Sequence, residues 1–176
     1  MRAKEKLVLA IEELLNRKQL DKITVSEIVE TASLSRKTFY RNFADKYELA
    51  DYYFKGFFDE TFGQIICGQD FDTALFRYLE ICEDKADILV NAYSSMDVNG
   101  LRNYDIESTK RTYEKYLLEK KADIRTPEMQ FAIEIAARGG TDMIIEWMSH
   151  GMKEDKKQLQ RLIKRTLPTD LLKYLE

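Results

Sequence analysis

The chain has 176 residues, 44% of them hydrophobic and 34% charged, with two prolines, seven glycines and a formal net charge of −3. That balance fits a folded globular protein and excludes a disordered chain, and the scarcity of helix breakers points to an all-α fold. No run approaches the ~18 consecutive apolar residues of a membrane span, and Cys67, Cys82 and the single His150 offer no metal-ligand spacing.

The basic start Met1–Lys6 leads into an amphipathic stretch with acids at Glu12 and Glu13, which is not a signal-peptide pattern. A cytoplasmic protein with reduced thiols, no metal and no cofactor is expected. The first helix is expected over Ala3 to about Arg17, with Leu7, Ala10, Ile11, Leu14 and Leu15 on one face. Thr24-Val25-Ser26-Glu27 is a capping box that opens a helix burying Val25, Ile28, Val29 and Ala32. After Ser33-Leu34, Ser35 is placed to cap a short helix through Tyr40. Asp45-Lys46-Tyr47-Glu48 starts a long helix whose aromatics run on until Gly68 stops it. Further helices are expected at about Phe71–Cys82, Asp84–Ser94, Leu101–Lys121, Pro127–His150, Asp155–Thr166 and Asp170–Leu175, with a loop at Met96–Gly100.

Charge is unevenly distributed. Residues 1–50 hold ten Lys/Arg against eight Asp/Glu, whereas residues 51–176 hold eighteen against twenty-three. Arg36, Lys37, Arg41 and Lys46 against Asp45 make a small basic patch, the pattern of a protein that meets phosphate with one end. Two short helices joined by a tight turn, with polar residues on the second, describe a helix-turn-helix, whose second helix enters the DNA major groove. Ile28, Val29, Leu34 and Phe39 would lock the pair, leaving Ser35, Arg36, Lys37 and Thr38 facing outward.

The stretch Val25 to Leu49 resembles the TetR-family DNA-binding signature. The matching features are Ile23 to Val25, Ala32 before the turn, Ser35-x-x-Thr38-Phe39-Tyr40, Phe43, and Asp45-Lys46-x-x-Leu49, within a resemblance covering residues 7–50. Ser33 and Lys37 depart from it, each standing where glycine is common. The resemblance implies an all-α chain with an N-terminal three-helix DNA-binding domain (1–48) and a C-terminal helical bundle (49–176) for ligand binding and dimerisation. The boundary would fall inside the fourth helix. It further implies that Thr24, Tyr40 and Lys46 contact phosphate, and that Arg36, Lys37 and Thr38 reach base edges, with Ser35 beside them. Hydroxyls and ammonium groups suit register on phosphates, and guanidinium and amine groups suit guanine acceptors.

Family members hold an effector in the C-terminal domain and pair through their last two long helices. Phe131, Ile135, Gly139, Met143 and Trp147 recur every four residues, and the expected dimer seam is Ile135, Gly139, Met143, Ile144 and Trp147 with Leu159 and Ile163. The expected effector-pocket residues are Tyr53, Phe57, Phe62, Tyr78, Tyr93 and Tyr113, against the alternative that they simply fill the core. The function implied is a regulator, a repressor, that binds a palindromic double-stranded operator as a homodimer and is released by a small-molecule effector. The alternative is an activator or co-regulator of the same fold governed by a partner protein, as in members similar to dihydroxyacetone-kinase activators. An enzyme is not expected: there is no phosphate loop, no nucleophile elbow and no cluster around His150.

Overall fold

The computed structural model describes residues 1–95 and 100–175. Among them the chain is all helical, as expected, and no helix is long and apolar enough to cross a membrane. The elements are α1 (Ala3–Leu15), a 3-10 turn (Leu20–Lys22), α2 (Val25–Thr31), α3 (Arg36–Asn42) and α4 (Lys46–Glu60). They are followed by a second 3-10 segment (Phe62–Cys67), α5 (Phe71–Asp84), α6 (Ala86–Tyr93), α7 (Leu101–Glu119), α8 (Pro127–Ser149), α9 (Lys156–Thr166) and α10 (Thr169–Leu175). Of the expected loop at Met96–Gly100, residues 96–99 lie outside the described residues.

Local chemistry sets most helix starts. The Thr24 side chain accepts from Glu27 N while the Glu27 carboxylate takes the Thr24 amide at 2.9 Å, closing the expected capping box. Asp155 accepts from Gln158 N at 2.8 Å, and Thr126 caps α8 ahead of Pro127. The fourth helix is shorter than expected. At Thr61 the backbone leaves the helical region (φ −124°, ψ −97°) as its hydroxyl donates to Phe57 O at 2.5 Å. The aromatic pattern continues through the 3-10 segment, which ends at Gly68 with φ +89°. Apolar spacing alone does not distinguish the two helix types over so short a run.

The chain forms two compact units. One contains residues 1–56 and 85–104, the other residues 57–84 and 105–176. The first is built on Leu7, Ile11, Leu15, Leu20, Ile23, Ile28, Phe39 and Leu49, all buried. Here α6 docks on α1 and the first 3-10 turn. Lys85 pairs with Glu12 at 2.8 Å, Asn91 donates to Leu15 O at 2.8 Å, and Ser95 Oγ meets Asp21 Oδ1 at 2.6 Å. The second unit packs α5 against α8 and α9. Ion pairs join α9 to α5 (Lys156–Glu83, 2.6 Å; Lys164–Asp72, 2.7 Å) and α7 to α8 (Lys110–Glu134, 2.7 Å).

Candidate nucleic-acid interface

The reading helix begins with Ser35, whose Oγ accepts from Thr38 N at 3.1 Å. That cap leaves the remaining first-turn amides directed outward, where they favour anionic groups. Phe39 of α3 and Ile28 of α2 are both fully buried, so α3 is clamped by its inner face. Ser35, Arg36 and Lys37 are exposed in consequence, and Thr38 is half-buried. Neither Arg36 nor Lys37 makes a hydrogen bond or ion pair to another described residue. Tyr40 is 55% exposed, its ring edge-on to Phe39 with centroids 5.3 Å apart. Five of the seven expected DNA-binding residues therefore lie together on the α3 face.

The other two are engaged within the protein. The Thr24 hydroxyl donates to Glu27 Oε2 at 2.9 Å, and its amide goes to the same oxygen. Lys18 also pairs with Glu27. The Lys18 ammonium and the Thr24 donors hold the Glu27 carboxyl down to a pKa of about 2. Lys46, expected on phosphate, directs its ammonium at three backbone carbonyls: Leu20 O at 2.9 Å, Asp21 O at 2.9 Å and Ile23 O at 2.8 Å. An ammonium has three protons, so in this structure Lys46 is an internal brace. Asp21 and Ser95, which hold the same turn, were not singled out in the sequence. They lie 74 residues apart, and no local pattern announces the contact.

A model described as "Bacterial regulatory proteins, tetR family" matches residues 4–53, and one described as "Transcriptional regulator C-terminal region" matches residues 69–169, more than half of the chain. The chain belongs to the TetR family. It is a DNA-binding transcriptional regulator and not an enzyme. No match was found among curated proteins. Among solved structures, the fold of this TetR-family chain is similar to that of the dihydroxyacetone kinase operon activator DhaS (TM-score 0.62, 19% identity, covering 94% of this chain and 96% of that one). It is also similar to a TetR-family transcriptional regulator from Streptomyces coelicolor (0.59, 15%, 92% and 79%). A third similar structure is the TetR-family repressor AlkX from Dietzia sp. (0.53, 19%, 100% and 98%).

The expected seam of this TetR-family chain divides by exposure. Phe131 (69%), Ile135 (47%) and Met143 (52%) stand out from α8 together with the exposed Gly139. Beside them runs a groove whose floor includes Trp147, Leu159 and Ile163 and whose rim includes Leu162. Trp147 is itself buried, its Nε1 donating to Glu154 O at 2.8 Å. Ile144 corrects the expectation. At 6% exposure it lies in the core of its own unit, because a residue one step from Met143 is turned ~100° around the helix.

The expected pocket residues are divided between the two units. Tyr53 and Tyr93 belong to the first unit; Phe57, Phe62, Tyr78 and Tyr113 belong to the second. Burial, then the neighbouring Glu12, pushes the Tyr53 hydroxyl pKa up. In the second unit Phe62 meets Tyr113 at 5.6 Å and Phe71 at 5.9 Å, while Tyr78 meets Phe58 at 6.1 Å. Edge-to-face packing of this kind is core packing. It is bordered by a buried polar strip on α7, namely Asp105, Ser108 and Thr112, with Tyr78 Oη 3.4 Å from Asp105 Oδ2. Polarity at these positions was not foreseen from the apolar pattern.

Proposed function

We propose that this regulator is a homodimeric repressor, reading a palindromic operator with Ser35, Arg36, Lys37, Thr38 and Tyr40 of each copy. The observation that carries this reading is the exposed tip of α3. Two long cations without a partner among the described residues, a capped helix start and an exposed phenol share one face fixed by the buried Phe39. The phenol and the first-turn amides suit phosphates, and Arg36 and Lys37 suit base edges. One helix-turn-helix spans only a few base pairs, so useful affinity calls for two half-sites and two copies. The exposed row Phe131, Ile135 and Met143 supports pairing through α8 and α9, since apolar side chains at four-residue spacing lose little by meeting a second copy. Residues 1–48 would read DNA. Residues 49–176 would pair and respond to a small-molecule effector, which the polar strip in an aromatic surround supports. Localisation in the cytoplasm follows from that role.

The test is selection from random duplexes with the wild-type protein, Arg36→Ala and Lys37→Ala. The wild type is expected to return inverted half-sites. Each variant should relax preference at one or two positions, with a loss of ~1–3 kcal/mol per bidentate contact. Sequence logos unchanged in both variants would remove Arg36 and Lys37 from readout. A reporter behind the selected duplex fixes the sign: expression is expected to fall when the protein is induced, and a rise would make it an activator.

A further inference from the structure

We propose that Lys46 is a positioning residue of the DNA reader, fixing the turn Leu20–Ile23 that sets the start of α2, and that it does not contact phosphate. The proposal rests on the DNA reading above. A 3-10 turn leaves carbonyl groups unsatisfied at its end. Here Asp21 O and Ile23 O, together with Leu20 O, which also accepts from Ile23 N at 3.1 Å, converge on one Nζ at 2.8–2.9 Å, reached from 23–26 residues away. A tetrahedral ammonium matches three converging acceptors, whereas a planar guanidinium fork does not.

The same turn is held twice more. Tyr47, next to Lys46 on α4, donates its hydroxyl to Asp21 Oδ1 at 3.2 Å, and Ser95 meets that oxygen at 2.6 Å. Leu20 and Ile23 are buried beneath, so the segment is clamped from the core and from the surface. Ile23 leads directly into Thr24, the N-cap of α2, and α2 packs on α3. A change in this turn therefore re-aims α2 and, through it, the α3 helix that enters the groove.

A phosphate lysine and a positioning lysine lose different things on mutation. Removing a phosphate contact weakens all DNA binding alike and lowers the salt slope by about 0.9. Removing a brace weakens the specific complex, which needs the α3 residues in register, and spares the non-specific one. The test uses Lys46→Met and the charge-retaining Lys46→Arg, each titrated with the wild-type-selected duplex and a scrambled duplex over a range of salt. Both variants are expected to lose roughly ten-fold on the selected duplex, as for one charge-assisted hydrogen bond. They should stay within about two-fold of wild type on the scrambled duplex, with an unchanged salt slope.

Equal loss on both duplexes with a lower slope for Lys46→Met and near-wild-type binding by Lys46→Arg overturns the proposal, as does unchanged binding by both variants. A measurement on the DNA-free wild type covers the case of unfolded variants and separates failure of this proposal from failure of the DNA reading. By nitrogen-15 NMR, the Lys46 ammonium protons are expected to exchange with water more slowly than those of exposed lysines such as Lys37. Exchange as fast as at Lys37 also overturns the proposal.

Discussion

Ser33 occupies the turn between α2 and α3 with φ +53°, a left-handed conformation that residues bearing a Cβ rarely adopt. The turn closes around it, since Leu34 N donates to Val29 O at 2.8 Å and Ser33 N to Glu30 O at 3.0 Å. Left-handed geometry costs an L-residue roughly 1–2 kcal/mol, while glycine gives up part of that through its freer unfolded chain. Ser33→Gly should therefore stabilise the protein by about 0.5–1 kcal/mol, raising the melting temperature by ~1–4 °C. A melting temperature that falls instead would mean the serine hydroxyl contributes more than the strain takes away. At this scale much of the site was legible. Ser35, Arg36, Lys37 and Tyr40 are short-range features of one helix and lie where the sequence placed them. The contacts of Lys46 were not legible, because nothing nearby in sequence shows that the carbonyls of Leu20, Asp21 and Ile23 converge on it.

The fourth helix carries an electrostatic strain of its own. The Asp51 carboxylate is half-buried, and among the described residues its Oδ1 has no hydrogen-bond partner. Burial, with the like charges of Asp45 and Glu48 earlier in the chain, pushes its pKa up to about 7. An acid whose pKa is raised on folding binds more protons in the folded state, so stability falls as pH climbs from about 4 to 7 and the penalty is complete above that. Asp51→Asn removes the ionisation. It is expected to melt a few degrees above wild type at pH 8 and together with it near pH 4, the difference being ~1 kcal/mol once solvent screening of a half-exposed group is allowed for. Parallel melting curves at both pH values would show that the charge is relieved by water. Helix starts were readable because caps act within three residues: Thr24 with Glu27, Thr126 with Met129, Asp155 with Gln158. The end of α4 was not readable. The turn at Thr61 is decided by a buried hydroxyl and by packing, while the surrounding aromatics keep the same apolar pattern on either side of it.

For the molecule as a whole, the proposed dimer makes opposite demands on neighbouring residues. Met143 is exposed on α8 and Ile144 is buried. Met143→Glu should leave a folded, helical chain that sediments as a monomer and binds the selected duplex at least ten-fold more weakly, because a carboxylate at the seam is desolvated without a partner. Ile144→Glu places the same charge in the unit's own core and should lower the melting temperature sharply instead. A Met143→Glu protein that still sediments as a dimer would move the interface off this face. The all-α class and the family were legible from the sequence. The make-up of the two units was not, because it depends on where α6 docks, and that contact joins residues some 75 positions apart. The chain leaves the first unit after Gly56, builds residues 57–84 elsewhere, and returns at Lys85. During synthesis, the N-terminal helices must therefore wait for about forty further residues to emerge before Glu12, Leu15 and Asp21 meet Lys85, Asn91 and Ser95. The unit that carries the DNA-reading helices thus closes only in mid-chain, ahead of the second unit, which still needs residues 105–176.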